Sequence, residues 1–178
     1  KRVERVYVPL ERMAPALVEA VVVAEDARFC KHGGVDWSAV NAVIETADED
    51  GPSRGASTIA MQTAKNLFLW PSRSYIRKAL EIPLALAIDL VWPKRRVLEV
   101  YLNIAEWGEG VFGVEAAARR YFGKGASALT AREAALLAAA LPLPRARNPA
   151  RPTARQQAYA GTIAARARLS GGLLACLE

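Results

Sequence analysis

Apolar residues recur at intervals of three and four along most of this chain, a spacing that places them on one side of successive α-helices. Ser57 and Thr130 are typical helix caps, and Pro93 and Pro142 end two helices. Only Val3, Val6 and Val8 give a brief extended pattern, which Pro9 closes. We therefore predict one all-α domain over residues 1–178, with helices over residues 14–30, 37–48, 57–69, 74–92, 95–107, 113–122, 130–141 and 153–170.

The amino-acid composition excludes several classes of protein. Of the 178 residues, 52% are hydrophobic and 24% are charged, which is the balance of a globular domain and not of a disordered chain. The 24 Lys and Arg exceed the 18 Asp and Glu by six, and such a basic surface attracts anionic lipid, nucleic acid or phosphate-bearing substrates. Cys30, Cys176 and the single histidine do not supply the ligands of a zinc site. Whether the two cysteines are free stays open.

Charged residues interrupt every long apolar stretch, so the sequence predicts neither a membrane-spanning helix nor a signal peptide in these residues. A membrane anchor would have to precede Lys1. One bulky apolar cluster lies between basic residues, and it suits either a membrane interface or the protein core. The cluster consists of Leu67, Phe68, Leu69 and Trp70.

Glu25 ends a strongly apolar stretch and is the first candidate for chemistry. A carboxylate that emerges from an apolar helix is costly to bury unless it is paired or used, and such groups are the usual general acids and bases. At helical spacing, Glu25, Arg28, Phe29 and His32 share one face. The alternative is therefore a solvated ion pair between Glu25 and Arg28.

A glycine-containing turn precedes a helix that we expect to begin at Ser57. Thr58, Gln62 and Lys65 would line one face of this helix, and its N-terminal N–H groups would suit an anion such as a phosphate. The alternative is an ordinary capped amphipathic helix.

Arg73, Arg77 and Glu81 follow one another at steps of four, so they would form a row on the next helix. Pro83 predicts a bend or a restart of that helix beside Glu81. The alternative is a surface ion pair between Arg77 and Glu81, worth less than about 1 kcal/mol. Further along, Glu99 and Asn103 share one side of a helix, and we interpret them as scaffold residues.

In their order and spacing, these segments resemble the five motifs of the peptidoglycan glycosyltransferase family (glycosyltransferase family 51). The resemblance runs from about Val8 to Pro149. Ala56, Ala60, Met61 and Thr63 depart from the pattern of the bifunctional members and resemble the monofunctional proteobacterial branch. The motifs are Glu25-Asp26-x-x-Phe29-x-x-His32-x-Gly34, Gly55-x-Ser57-Thr58-Ile59-x-x-Gln62-x-x-Lys65-Asn66, Arg77-Lys78-x-x-Glu81, Lys94-x-x-Val97-Leu98-Glu99-x-Tyr101-Leu102-Asn103, and Gly110 through Tyr121-Phe122-Gly123-Lys124.

The resemblance implies a lysozyme-like helical fold that polymerises lipid II on the periplasmic side of the bacterial inner membrane, held by a single-pass anchor. Glu25 and Glu81 would be catalytic, and residues 67–70 would contact the anionic lipid surface. Glu25 would be the base, whereas Glu81 would orient cations, hold Mg²⁺ or Mn²⁺ on the pyrophosphate, or assist the leaving group. The implied substrate-binding residues are Asp26, Phe29, His32, Ser57, Thr58, Gln62, Lys65, Asn66, Arg73, Arg77 and Lys78.

The same resemblance implies no organic cofactor and no nucleic acid, and its partners would be lipid II, the growing lipid-linked glycan and proteins of cell-wall synthesis or division. Two other functions stay open. A lysozyme-like hydrolase or a lytic transglycosylase would cleave peptidoglycan instead, but it would have no use for several cations around the leaving group. A non-enzymatic basic adaptor for membrane or nucleic acid would not need Glu25.

Overall fold

The computed structural model describes residues 4–45, 56–70 and 74–177, and α-helices dominate these ranges. The expectation of a mainly helical protein is confirmed, and every predicted helix is present. The first helix ends at Glu25 and not at residue 30, so the helical face expected for Glu25, Arg28, Phe29 and His32 is wrong. Residues 46–48, at the end of the second predicted helix, lie outside the described ranges. The helices are α1 (Pro15–Glu25), α2 (Trp37–Glu45), α3 (Ile59–Phe68), α4 (Tyr75–Val91), α5 (Lys94–Ile104), α6 (Val114–Phe122), α7 (Ala131–Ala140) and α8 (Ala154–Ala167).

A small sheet accompanies the helices. Its strands are β1 (Glu4–Arg5), β2 (Glu106–Gly108) and β3 (Val111–Phe112), in the order β1-β3-β2. β1 runs parallel to β3 and β2 runs antiparallel to it, with an irregular register between Glu106 and Gly108. The expected strand near the start of the chain is therefore present but shorter than the valine pattern indicated, and Trp107 belongs to β2 instead of the preceding helix.

Side-chain caps fix where several helices begin. Thr130 caps α7 through a capping box with Glu133, as expected. The expected cap of α3 is wrong by one residue, because Thr58 and not Ser57 accepts the hydrogen bond from the Met61 N–H. The predicted restart of the helix at Pro83 is also wrong, since α4 continues through it.

The helices pack in two groups. α1 lies against α7 and α8, whereas α3 lies against α4 and α5. Residues 134–140 of the alanine-rich α7 are all buried, and their small side chains allow neighbouring backbones to approach closely. Trp107, Tyr101 and Phe29 are the largest fully buried side chains among the described residues.

Helix α5 holds the segment that precedes α1. The Val8 N–H donates to Asn103 Oδ1 at 2.8 Å, and Asn103 Nδ2 donates to the Val8 carbonyl at 2.9 Å. The Leu10 N–H donates to Glu99 Oε2 at 2.9 Å. The scaffold interpretation of Glu99 and Asn103 is therefore confirmed.

Cys30 and Cys176 form a disulfide that joins residues 146 positions apart in the sequence. It ties the C-terminal segment to the short turn that follows α1. The question that the sequence left open, whether these cysteines are free, is thus answered by their spatial proximity.

Candidate active site

Glu25 is the last residue of α1, and its half-buried carboxylate meets a side chain from α3. Gln62 Nε2 donates to Glu25 Oε2 at 3.0 Å. Tyr101, which is fully buried on α5, donates its hydroxyl proton to Gln62 Oε1 at 3.0 Å. This chain of contacts fixes which end of the amide faces the carboxylate. The sequence motif contained Tyr101, but its spacing gave no sign that its hydroxyl supports Gln62.

The surroundings of Glu25 adjust its basicity. Burial raises the pKa of Glu25, and this effect exceeds the opposing effects of the Gln62 hydrogen bond and the Lys65 and Arg147 charges. A carboxylate with a raised pKa is a stronger base than an ordinary glutamate. The alternative pairing with Arg28 is wrong, because α1 ends at Glu25 and Arg28 instead lies beside Asp36, with Nε 3.4 Å from Oδ2.

The second carboxylate, Glu81, has a different environment. Its side chain is only 4% exposed and accepts from two cations, with Arg77 Nη1 at 2.6 Å from Oε1 and Lys78 Nζ at 2.9 Å from Oε2. Lys78 Nζ also donates to Ser57 Oγ at 2.6 Å. The alternative of a surface ion pair is therefore wrong. Arg77 Nε is buried and has no hydrogen-bond partner among the described residues.

Lys65 on α3 lies close enough to both Glu25 and Glu81 for each charge to affect its pKa. Burial lowers the pKa of Lys65, the nearby Glu81 and Glu25 charges raise it, and Arg77 and Lys78 lower it. Its ammonium forms no hydrogen bond with any residue that the structure describes, so its protons are available to a ligand. A half-buried, unpaired cation beside a cationic cluster is suited to binding an anion.

Several predicted substrate-binding residues are largely buried and make contacts within the protein. Asp26 Oδ2 accepts from the Ile59 N–H at 3.0 Å, and His32 Nε2 donates to Asp26 Oδ1 at 2.9 Å. Thr58 Oγ1 donates to the Gly34 carbonyl, and Phe29 is fully buried. These residues position the start of α3 relative to the end of α1.

The start of α3 is already occupied by acceptors from the protein itself. Asp26 Oδ2 accepts a hydrogen bond from the Ile59 N–H, and Thr58 Oγ1 accepts one from the Met61 N–H at 3.1 Å. The interpretation of these N–H groups as a free anion site is therefore wrong. Any anion in the cleft would instead meet the side chains that come from α3 and α4.

The remaining predicted site residues are more exposed. Asn66 is an exposed residue of α3, and Arg73 lies outside the described residues. Leu67, Phe68 and Trp70 are 38%, 58% and 46% exposed, so the core alternative is wrong for these three side chains. Leu69 is half-buried between them.

Comparison with known proteins finds one matching family model and several relatives that are more than half identical to this chain. A family model described as transglycosylase matches residues 1–168. A biosynthetic peptidoglycan transglycosylase of Brucella suis is 56% identical over 176 residues, which cover 99% of this chain and 79% of the relative. Proteins of the same description from Rhodospirillum centenum and Nitrobacter hamburgensis are 55% and 54% identical, over 98% and 92% of this chain and 77% and 73% of theirs.

Proposed function

This chain belongs to the transglycosylase family, and from that membership and the geometry of the cleft we propose that it polymerises lipid II into β-1,4-linked glycan strands with release of undecaprenyl pyrophosphate. Membership of the family confirms a lysozyme-like helical fold and an activity as a glycosyltransferase of peptidoglycan synthesis. The similarity to proteobacterial biosynthetic transglycosylases agrees with the branch that the motifs resembled.

The observation that carries the proposal is the contrast between two carboxylates in one cleft. Glu25 accepts a single neutral amide donor and has a raised pKa, whereas both oxygens of Glu81 are paired with cations. Lys65 lies within the electrostatic reach of both. One carboxylate is thus suited to accept a proton, and the other holds positive charge where a diphosphate would leave.

In the proposed reaction, Glu25 accepts the proton of the acceptor 4-hydroxyl as that oxygen attacks the anomeric carbon of the donor. The bond between this carbon and the diphosphate oxygen breaks with its electron pair, so the configuration inverts from α to β. Because the pKa of an alcohol is far above that of any glutamate, proton transfer accompanies the attack and does not precede it.

The departing diphosphate gains negative charge, which Lys65, Arg77 and Lys78 would stabilise. The Lys65 ammonium has no partner among the described residues, and Arg77 and Lys78 use only some of their N–H donors on Glu81 and Ser57. Glu81 would hold Arg77 and Lys78 in place, which is the first of the three roles that the sequence left open. Asn66 and Arg73 remain predicted substrate contacts.

The role of Glu81 as a ligand of Mg²⁺ or Mn²⁺ does not fit this geometry, because both of its oxygens already accept from cations. No group of three or more His, Cys, Asp or Glu that could hold a metal occurs in the described part of the chain. A cation carried by the diphosphate itself stays a prediction. Titrating the enzyme with EDTA and then restoring Mg²⁺ or Mn²⁺ would test it.

We further propose that the enzyme works on the periplasmic side of the inner membrane, with residues 67–70 in contact with anionic lipid. Ile76 and Leu80, at the start of α4, are also exposed apolar side chains, at 72% and 41%. The disulfide is typical of an oxidising compartment. Within the ranges that the structure describes, no helix is both long and apolar enough to cross a bilayer. A single-pass anchor and partners in cell-wall synthesis or division stay predictions.

Flotation with liposomes tests the membrane contact. A triple variant with Ser at Leu67, Phe68 and Trp70 would lose most of the bound fraction on vesicles that contain anionic phospholipid, because exposed apolar side chains supply the insertion energy. A matched triple variant with Ser at Ile44, Leu143 and Leu169, which are exposed elsewhere, should float like the parent. Equal flotation of parent and first variant would exclude this surface.

Incubation of the chain with labelled lipid II tests the proposed function, since glycan chains should accumulate as undecaprenyl pyrophosphate is released. Glu25→Gln should abolish polymerisation, whereas Glu19→Gln, the same change earlier on α1, should not. Substantial turnover by the Glu25→Gln protein would refute its role as base. Clearing of a suspension of purified sacculi by the parent protein would favour the alternative of a hydrolase or lytic transglycosylase.

A further inference from the structure

A groove between α7 and α8 takes no part in the site described above. Its volume is about 430 Å³, within the range of ordinary ligand pockets. No residue that lines it belongs to the five motifs or to the cleft of Glu25 and Glu81. Most of the lining residues are Ala or Gly, among them Ala131, Ala135, Gly161, Ala164 and Ala165.

The groove follows one face of α8. Gln157, Gly161, Ala164 and Arg168 all line it and lie three or four residues apart, so they share this face over about 16 Å, or three turns. Where side chains are small, the backbone of a neighbouring helix can approach closely and place its own side chains in the groove. The groove is therefore suited to a second helix of about three turns.

Gly161, in the middle of α8, has no explanation within the fold itself. A glycine in a helix interior is less favourable than an alanine because it loses more conformational freedom on folding. Gly161 is not among the glycines with positive φ, and a Cβ atom at this position would have no described atom of another part of the chain within 4 Å. The close approach of a partner backbone would account for the missing side chain.

The charge around the groove is positive and uncompensated. Arg132 and Arg168 line it, are exposed, and have neither a hydrogen bond nor an ion pair with any residue that the structure describes. Glu133 is the single acidic residue in the sequences of α7 and α8, and it is already paired with Lys124 at 3.0 Å. Residues 134–177 contain six arginines and neither Asp nor Glu. Such a surface attracts an acidic partner.

We propose that this groove binds an acidic helix of another protein, with small side chains against Gly161 and carboxylates against Arg132 and Arg168. A lipid surface fits the groove less well, because its lining residues include no exposed large apolar side chain that could insert between lipids. A second copy of this chain fits it less well too, because each copy has a net charge of +6 and the copies repel each other.

Peptide selection tests the chemistry of the partner. A displayed library of random peptides of about 15 residues is selected on the parent protein and counter-selected on Gly161→Leu, whose side chain would fill the groove. We expect the enriched peptides to be rich in Asp and Glu and to have Ala, Gly or Ser at intervals of three or four. Enrichment of peptides without acidic residues, or no enrichment relative to the Gly161→Leu protein, would overturn the proposal.

The most enriched peptide, labelled with a fluorophore, then gives affinities by fluorescence anisotropy. Gly161→Leu should raise the Kd at least tenfold, because the new side chain occupies the space of the peptide. Ala158→Leu is the matched control, since Ala158 is exposed on α8 and does not line the groove, and it should leave the Kd unchanged. Equal Kd values for the parent and the Gly161→Leu protein would exclude the groove as the binding site.

The two arginines are tested together. Arg132→Gln with Arg168→Gln should raise the Kd about tenfold, or about threefold for each exposed ion pair, and the difference should shrink at high salt. Arg12→Gln with Arg120→Gln removes the same charge from exposed positions elsewhere and should change the Kd less than twofold. If both double variants weaken binding equally, net charge and not the groove attracts the peptide, and the proposal fails.

Thermal unfolding gives a readout that a purely structural role of Gly161 would not produce. Gly161→Ala should raise the Tm by about 2–4 °C and at the same time weaken binding of the peptide. A residue that the fold itself requires would show a lower Tm instead. A Tm that does not rise would therefore remove the argument from this glycine and overturn the proposal.

Two measurements on the protein alone distinguish the other occupants. Flotation on vesicles of phosphatidylcholine and phosphatidylglycerol, and sedimentation velocity without vesicles, should give the same results for the parent and for Gly161→Leu. Loss of flotation in the variant would identify a membrane contact, and a parent dimer that becomes a monomer in the variant would identify a second copy; either result overturns the proposal. Because none of these experiments uses lipid II, their outcome is independent of the proposed function.

Discussion

Replacing Glu81 with Gln would remove the charge that holds two cations beside the proposed leaving group. The new side chain has nearly the same shape, but its amide nitrogen is a donor that faces a cation. Removing one partner of a buried ion pair costs about 3–5 kcal/mol. Lys78 is 44% exposed and can regain water, whereas Arg77 is only 14% exposed, so we expect the free energy of unfolding to fall by about 2–3 kcal/mol.

The effect on catalysis should be at least as large as the effect on stability. Without Glu81, Arg77 and Lys78 repel each other and lose the positions from which they would meet the diphosphate. Loss of a charge-stabilising group in an active site costs about 100-fold or more in turnover. We therefore expect kcat of Glu81→Gln to fall by at least that factor under conditions where the protein is fully folded.

The pH profile gives a readout that a purely structural role would not change. The Glu81 charge raises the pKa of Lys65, so removing it lowers that pKa further below its ordinary value. Because Lys65 must be protonated to bind the anion, the alkaline limb of kcat/KM should move to lower pH in the variant. The assay is the initial rate of labelled lipid II consumption across pH, with unfolding monitored by circular dichroism.

Glu11→Gln is the matched control for this experiment. Glu11 pairs with Arg95 at 2.9 Å on the surface, where both side chains are exposed, so its loss should cost less than about 1 kcal/mol and leave the pH profile unchanged. The reasoning about Glu81 is refuted if Glu81→Gln keeps the parent rate. It is equally refuted if the rate falls but the alkaline limb stays where it is in the parent.

Three further changes test other parts of the cleft and fold. Lys65→Ala should reduce kcat about 100-fold or more in the lipid II assay because it removes the unpaired cation, and a rate like that of the parent would contradict the placement of the diphosphate. Gln62→Ala removes a hydrogen bond that lowers the pKa of Glu25, so the pKa of Glu25 should rise and the acidic limb of kcat/KM should move to higher pH. If that limb does not move, Glu25 is not the group whose titration produces it. Replacing Cys30 and Cys176 together with Ser releases a long loop, and calorimetry should show a lower Tm, with a loss of about 4–5 kcal/mol in the chain-entropy account. An unchanged Tm would mean that the disulfide does not constrain the unfolded chain.

Local patterns in the sequence predict local structure well and tertiary environments poorly. The periodicity placed each helix because apolar spacing and capping residues act over a few residues. The spacing of Arg77 and Glu81, however, is the same for a surface pair and for a buried one, and the difference depends on how α3 packs on α4. The pairing of Cys30 with Cys176 spans 146 residues, so no local signal could indicate it.

In the candidate site too, the sequence indicated which residues matter better than it indicated their tertiary contacts. Motif resemblance selected Glu25, Gln62 and Lys65, whose roles stay predictions, and it assigned Asp26 and His32 to the substrate. In the structure their side chains face each other and the start of α3. A buried polar side chain must have partners, and which partners it finds is decided by the whole fold.

The proposed chemistry depends on contacts that bridge the two helix groups. Glu25 belongs to the group formed by α1, α7 and α8, whereas Gln62, Lys65 and Glu81 belong to the group of α3, α4 and α5. The distance between base and cations is therefore set by how these groups dock. Since the Ile59 N–H donates to Asp26, the residue after Glu25, the docking contact and the base share one backbone segment. A shift at this contact would move the base relative to the leaving group, which explains why buried groups outside the cleft belong to the same motifs as Glu25 and Gln62.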